Sequence, residues 1–236
     1  MLLQSRPTSR SQNAIKRTWD PPRHRPGNAI YYFDKPYREE TTTPAQTHSV
    51  LNWLWAAAGL YWIVSARAAT RNPTESGEPH AHRILRLLIL AVTFVLLLSP
   101  SLPVGPLARP FVPDHPAIRD VGVALAGLGI SLMIWARRHL GHYWSDKVEI
   151  KANHQLISTG PYARLRHPIY TGMLLGIAGT ALAVGEWRGL AAFVLLLTNY
   201  VIKASKEERI LRQKFGPAFQ EYERRTGFLI PRLRLP

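Results

Sequence analysis

The chain has no cysteine. That absence excludes a disulfide, a thiolate nucleophile and any cysteine-ligated metal centre, and it leaves the redox compartment open. Acidic residues are scarce as well: 15 Asp and Glu stand against 30 Lys and Arg, a formal charge of +15 over 236 residues. Such an excess suits nucleic acid or anionic lipid. Here the basic residues flank apolar segments and are not gathered on one soluble face, so lipid headgroups are the expected counter-charge and nucleic acid is not an expected partner. A glycine-rich phosphate loop, a serine-centred elbow and a metalloprotease helix are also missing. Gly127 and Gly129 sit inside an apolar run, not after a strand, and read as packing glycines. His80 with His82, and His139 with His142, are paired but lack the further ligands of a closed site, so no metal is expected.

What the chain does have is long apolar runs. Its mean hydropathy of −0.09 averages a polar first fifth with segments such as Leu87 to Leu98 that no ordinary surface helix carries. The runs are Val50 to Ala66, Ile84 to Pro103, Val121 to Ala136, Ile169 to Val184 and Leu190 to Ile202. A helix crossing the hydrocarbon needs roughly 20 residues, with a lower limit near 17. The first two runs qualify, the third is marginal and the last two are short, which suggests a shallow or tilted hairpin turning at Gly185, Glu186, Trp187 and Arg188. The predicted fold class is therefore all-α: a polytopic membrane protein of about five transmembrane helices ending in a helical hairpin. Residues 1–48 read as a polar tail, largely disordered as far as Gln46 and without the apolar core of a secretory signal. Residues 49–236 read as one membrane domain. Trp53, Trp55, Tyr61 and Trp62 are expected to be interfacial or packing aromatics.

Positive residues sort the topology. Arg67, Arg71, Arg83 and Arg86 fall in or beside the first loop, few fall between Pro103 and Ile118, and Arg137, Arg138, Lys147, Lys151, Arg164 and Arg166 fill the third. Lys and Arg close to helix ends favour the cytoplasmic side. Five crossings then place the first and third loops and the C-terminal tail inside, in the inner membrane if the host is bacterial.

The polar residues around the hairpin are the candidate site, because ionisable groups near a bilayer tend to be kept where they bind or react. Pro168 opens an apolar helical run, where its missing N–H costs nothing, and His167 falls at the cap. Unpaired first-turn N–H groups with Arg166 make an anion-binding corner from which Tyr170 projects. The same residues also suit a helix start dressed with interfacial anchors. Glu207 and Glu208 end the second limb, and Leu211 and Phe215 carry its apolar stripe into a helix below the membrane. Either one carboxylate faces inward or both are solvated, with Glu208 and Arg212 in the favourable four-residue ion-pair order.

The ordered pattern His154, Gln155, Leu156, Ile157, then Gly160, Pro161, Tyr162, then Arg166 to Tyr170 with Gly172, then Glu207, Glu208, Phe215, Gly216 and Tyr222 covers about Leu140 to Pro231. It resembles the isoprenylcysteine carboxyl methyltransferases and their relatives among the phospholipid methyltransferases. The resemblance implies an integral membrane enzyme using S-adenosylmethionine, with a cytoplasmic cofactor pocket within about residues 140–231. In that pocket His154, Gln155, Leu156, Ile157, Tyr162, His167, Pro168, Ile169, Tyr170 and Glu208 would bind the cofactor. Arg166, Lys203 and Glu207 would carry the catalytic roles, with Arg166 or Lys203 orienting the acceptor. A lipid-borne or prenylated acceptor, first of all a carboxylate, would arrive from the bilayer. Family members that methylate prenylated cysteine place an arginine on the last membrane helix; Lys203 at that position is a point charge without the bidentate fork. Membrane sterol and steroid reductases using NADPH share an Arg-His-Pro and Tyr signature, but show Trp where Pro161 and Tyr162 stand and Asn where Ile169 stands. They are the alternative reading, followed by a non-enzymatic membrane scaffold.

Overall fold

The computed structural model describes residues 43–69, 80–99, 102, 104–141 and 156–232. The expected tail disorder lies outside the described residues as far as residue 42, as do His142, His154 and Gln155; Pro44 to Gln46, expected to belong to the tail, instead open the first helix, where Gln46 Oε1 accepts from the Thr43 N–H at 2.8 Å. Six α-helices carry the architecture: α1 (Pro44–Ala69), α2 (His80–Leu98), α3 (Pro116–Leu140), α4 (Pro168–Val184), α5 (Trp187–Phe215) and α6 (Pro217–Arg225). The fold is all-α, and the described residues contain no strand beyond two isolated bridges. Helices α1, α2, α3 and α5 contain stretches long and apolar enough to cross a membrane. Helix α4 is a fifth apolar helix of 17 residues, about 25 Å long at 1.5 Å per residue, short of the ~30 Å hydrocarbon core. Leu60, Leu88, Leu128 and Val194 lie on the outside with half or more of their surface open, the pattern of a bundle solvated by lipid chains.

The helix ends divide between two poles. At one pole the buried Arg137, in the last turn of α3, donates to the Ser65 carbonyl of α1 at 2.9 Å and to the Gly141 carbonyl at 2.9 Å. Arg137 therefore belongs to a helix end that it fastens, and is not a free loop charge. At the other pole Gly185 (φ +72°) reverses the chain between α4 and α5, its carbonyl accepting from the Phe111 N–H at 2.8 Å while the Trp187 N–H donates to the Arg109 carbonyl at 3.1 Å. The turn falls at the predicted residues. Arg188 does more than mark it: with about 1% of its surface exposed, it bridges Glu186 at 2.7 Å and donates to the Ser99 carbonyl at 2.5 Å.

Two helices differ in extent from the hydropathy reading. Helix α2 ends at Leu98, not Pro103, because a residue before proline is driven out of the α region and Pro100 and Pro103 follow closely. Helix α5 runs to Phe215, well beyond Ile202. Its polar half is supported by Lys203–Glu207 and Glu208–Arg212 pairs at four-residue spacing, and it stops at Gly216, whose φ of +50° favours glycine, with Pro217 opening α6.

The centre of the bundle is a seam of small residues. Helices α3 and α4 pack so closely that a Cβ on Gly129 would lie 2.2 Å from the Gly176 nitrogen, one on Gly172 2.5 Å from the Met133 nitrogen, and one on Gly179 2.4 Å from the Ala126 nitrogen. In lipid no hydrophobic force drives helices together, so such backbone approach is a main source of association. The Trp55 ring lies over Gly176 and donates its indole N–H to Thr180 Oγ1 at 3.0 Å. Gly127 is no packing glycine after all: it lies off the seam, with nothing within 4 Å of an added Cβ. We predict that Gly129→Leu lowers the thermal midpoint of the detergent-solubilised protein sharply or prevents its recovery, whereas Gly127→Ala leaves it equal or slightly higher, by up to ~1 kcal/mol of helix propensity. Equal midpoints for the two variants would mean that α3 and α4 do not meet backbone to backbone.

Candidate functional site

The pole that carries the end of α3, the start of α4 and the polar half of α5 also carries the predicted polar signature. A tight turn at Gly160–Ala163 presents Tyr162 inward. Gly160 is required there twice over: its φ is +57°, and a Cβ would stand 2.6 Å from the His139 ring. The Tyr162 phenol is buried, stacks on His139 at 6.3 Å and reaches the Ala136 carbonyl at 3.5 Å. Its own backbone carbonyl accepts the hydroxyl of Tyr222 at 2.8 Å. Burial pushes both phenols well above their ordinary pKa, so both remain protonated donors.

From Leu165 the chain pairs with the segment after α6. Arg166 N–H donates to the Gly227 carbonyl at 2.8 Å, His167 N–H to the Phe228 carbonyl at 3.3 Å and Gly227 N–H to the Arg164 carbonyl at 3.0 Å. Thr171 Oγ1 adds a bond to the Leu229 carbonyl at 2.8 Å. The C-terminal segment therefore lies across the start of α4. His167 is the N-cap residue and Pro168 the first helical residue, as predicted from the sequence.

Glu208 is the centre of the charge network. Only 6% of its side chain is exposed, and its Oε1 accepts from Arg166 Nε at 2.6 Å and pairs with His167 Nε2 at 3.1 Å; Oε2 faces Arg212 at 3.3 Å. Arg166 is further engaged with the Thr226 carbonyl at 2.7 Å and the Glu223 carbonyl at 3.4 Å. The Glu208–Arg212 pair expected from spacing is present, and Arg212 also pairs with Glu223 at 2.6 Å. Of the two alternatives for the carboxylates, the inward-facing one holds for Glu208.

Glu207 is the more open carboxylate, with 22% of its side chain exposed. Tyr170 donates to its Oε1 at 2.7 Å, His167 Nδ1 stands 3.7 Å from Oε2, and Lys203 Nζ is 3.9 Å from Oε1. The imidazole thus has a carboxylate at each nitrogen. Aromatic faces wall the group: His167 stacks on Tyr170 at 5.6 Å and meets Phe228 edge-on at 5.1 Å, Tyr170 stacks on Tyr200 at 4.6 Å, and Lys203 lies over the Tyr170 ring at 5.4 Å.

Arg166, His167, Pro168, Tyr170, Lys203, Glu207 and Glu208 are therefore brought together, with Tyr162 anchored beside them. Ile169 packs against the apolar core, and Leu156 and Ile157 stand half-buried in the segment leading into the turn. Sequence reasoning missed Tyr200 and Phe228. Tyr200 had a signal, lying three residues before Lys203 on the same helical face; Phe228 had none, because it reaches His167 through a chain reversal. Also missed was Gly227, where a Cβ would overlap the Ile230 carbonyl at 1.7 Å. Among the described residues no group of three or more His, Asp or Glu side chains is placed to hold a metal ion.

The chemistry of this donor set suits a small cationic ligand with hydroxyl and aromatic parts: an accessible carboxylate, a phenol, an imidazole and stacked rings at the polar end of an apolar bundle. The sequence profile of the phospholipid methyltransferase family matches residues 118–218, from the first turn of α3 to the start of α6. The chain is 38% identical over 115 residues to a cobalt-zinc-cadmium resistance protein of Cupriavidus metallidurans, covering 48% of this chain and 50% of that protein. It is 27% identical over 188 residues to a probable protein-S-isoprenylcysteine O-methyltransferase of Oryza sativa subsp. indica, covering 76% of this chain and 95% of that protein. With a protein-S-isoprenylcysteine O-methyltransferase of Schizosaccharomyces pombe the identity is 31% over 107 residues, 44% of this chain and 45% of that protein. The alignments thus span about half of two of these relatives and nearly all of the third. The matched segment holds the α3–α4 seam together with Arg166, His167, Tyr170, Lys203, Glu207, Glu208 and Arg212, and over it the chain is similar to the phospholipid methyltransferase family and to protein-S-isoprenylcysteine O-methyltransferases.

Proposed function

We propose that the chain transfers a methyl group from S-adenosylmethionine to a lipid-borne or isoprenoid-like acceptor, a carboxylate first of all, at the cytoplasmic face of the membrane. The observation that carries this reading is the open Glu207 carboxylate, held by Tyr170 and flanked by Lys203 and His167 where the apolar bundle gives way to polar chain. Orientation follows from the basic residues at that pole, which favour the cytoplasmic side.

In this reading His167, Tyr170 and Glu207 hold the cofactor with His154, Gln155, Leu156, Ile157, Tyr162, Pro168 and Ile169. Glu207 accepts from its ammonium or ribose hydroxyls, and the stacked rings of Tyr170 and Tyr200 offer a face to adenine or to positive sulfur. When bound, S-adenosylmethionine supplies a methyl group already activated by the positive charge on sulfur. Positioning and exclusion of water then supply most of the rate. Arg166 and Glu208 act as positioning residues, since each is consumed by the other and by neighbouring groups. Lys203, whose pairing with Glu207 is loose at 3.9 Å, orients the acceptor. The resistance protein of Cupriavidus metallidurans raises metal handling as a function, but no site observation favours it over methyl transfer.

S-adenosylhomocysteine should bind the detergent-purified protein with micromolar affinity or better in calorimetry, and NADPH should not. Tyr170→Phe, which removes the hydrogen bond that holds Glu207, should weaken binding about tenfold or more, from roughly 1.5–3 kcal/mol for a bond to a charged group. Saturable NADPH binding without a response to S-adenosylhomocysteine would instead establish the reductase reading.

Glu208→Gln should act on the fold as well as the ligand. Breaking a buried ion pair costs about 3–5 kcal/mol, a fall in thermal midpoint on the order of 10 °C for a chain of this size. Glu223→Gln, at the exposed Arg212 pair, should cost about 0–1 kcal/mol. If both midpoints stay at the wild-type value, the Arg166–Glu208 pair is not holding this pole together.

Lys203→Ala should raise the acceptor's Michaelis constant or abolish turnover while S-adenosylhomocysteine affinity stays within a few-fold. Lys203→Arg should retain activity, because a carboxylate accepts the guanidinium fork at least as well. Turnover equal to wild type in both variants would remove Lys203 from the acceptor site.

A further inference from the structure

A second feature lies outside this site. Helices α2 and α5 line an apolar groove of about 700 Å³ that runs from Leu107 and Trp187 at one pole to His82, Arg86, Lys203 and Lys206 at the other. Its wall is aliphatic over most of its length, and no acidic side chain lines it. From Trp187 to Lys206 the groove follows α5 for about 28 Å at 1.5 Å per residue, close to the whole of a ~30 Å hydrocarbon core, so that its part nearer the site pole, from Val194 to Lys206, has about the depth of one leaflet. Val194 and Ile202 on its rim are half exposed, so it is open sideways to the bilayer.

We infer that this groove binds an anionic glycerophospholipid from the leaflet at the site pole. One acyl chain lies along Val194, Leu195 and Ile202, and the phosphate meets Arg86 and Lys206. Apolar length and basic end together match that amphiphile: chain burial supplies affinity for any lipid, and the cations select an anionic headgroup. The acceptor of methyl transfer is a poorer occupant. Neither His167 nor Tyr170 nor Glu207 lines the groove. Among the described residues Lys203 belongs to both the groove and the polar site, its ammonium lying over the Tyr170 ring and near Glu207.

Native mass spectrometry of the full detergent-purified chain, titrated with phosphatidylglycerol and with phosphatidylcholine of the same acyl chains, tests the inference without requiring activity. Phosphatidylglycerol should be retained at lower concentration. Arg86→Gln with Lys206→Gln should weaken its binding roughly thirtyfold, about fivefold for each cation near an anionic headgroup, and leave phosphatidylcholine unchanged. Val194→Trp, which fills the groove without touching a charge, should reduce binding of both lipids and remains decisive if the charge variant does not fold. Equal retention of the two lipids, or unaltered binding in the folded charge variant or in Val194→Trp, would overturn the inference. So would transfer of label from S-adenosylmethionine to the retained phospholipid, since the groove would then be the acceptor's route. Failure of S-adenosylhomocysteine to bind leaves this result unaffected, so the two proposals fail separately.

Discussion

The pairing of Arg166 with Glu208 is the constraint on which this pole of the molecule depends. A carboxylate with only 6% of its side chain exposed cannot remain charged at low cost unless its partners are close and well oriented. Three different elements supply those partners: Arg166 from the segment before α4, His167 from the cap of α4 and Arg212 from the next turn of α5. Arg166 then binds the carbonyls of Thr226 and Glu223, so the segment after α6 is tied to the same charge. The ring edge of Phe228 against His167 follows from that attachment. One buried anion thereby sets the relative positions of the start of α4, the middle of α5 and the C-terminal segment. Glu207, one residue earlier on α5, is carried about 100° round the helix from Glu208 and presented to Tyr170 and Lys203.

Depth is fixed separately. The glycine seam locks α4 against α3 backbone to backbone, which leaves no tolerance for α4 to slide along its axis. His167 at its cap is thereby held level with the end of α3, where His139 and Tyr162 stack. At the opposite pole Arg188 bridges Glu186 and the Ser99 carbonyl and keeps the α4–α5 turn against the end of α2. A short α4 between two such fixed points explains how a helix of 17 residues keeps His167 and Tyr170 in register with Glu207 and Glu208 of α5.

The features legible in the sequence were those with a local signal. Hydropathy located the five apolar helices, the Gly185–Arg188 stretch located the turn, and four-residue spacing located the Glu208–Arg212 pair. Pro168 placed the start of α4 and left His167 at its cap. What could not be read were contacts made across the chain. Arg166 appeared as a free cation beside a helix start, because nothing local reveals a partner 42 residues away. Which of two adjacent glutamates turns inward depends on the rotation of α5 against α4, a tertiary quantity. The seam was half visible: Gly129 was named with Gly127, but the matching glycines on α4 were not connected to it, and only packing distinguishes one glycine from the other. Arg137 and Arg188 were counted as loop and turn charges although both are buried and hold helix ends together.

Lys203 stands between two environments, the polar cluster around Glu207 and the apolar groove beside α5. Its side chain is 11% exposed, its ammonium stands over Tyr170 and near Glu207, and its stem lines a groove open to the bilayer. A guanidinium in that position would pair with Glu207 through a planar fork and hold it strongly. An ammonium at 3.9 Å is a compact point charge that can turn toward whichever anion is nearer. Lysine in place of an arginine thus loosens the hold on Glu207 at this position. The groove wall and the Glu207 carboxylate therefore share one ammonium group, and a change of charge on either side of it is felt on the other.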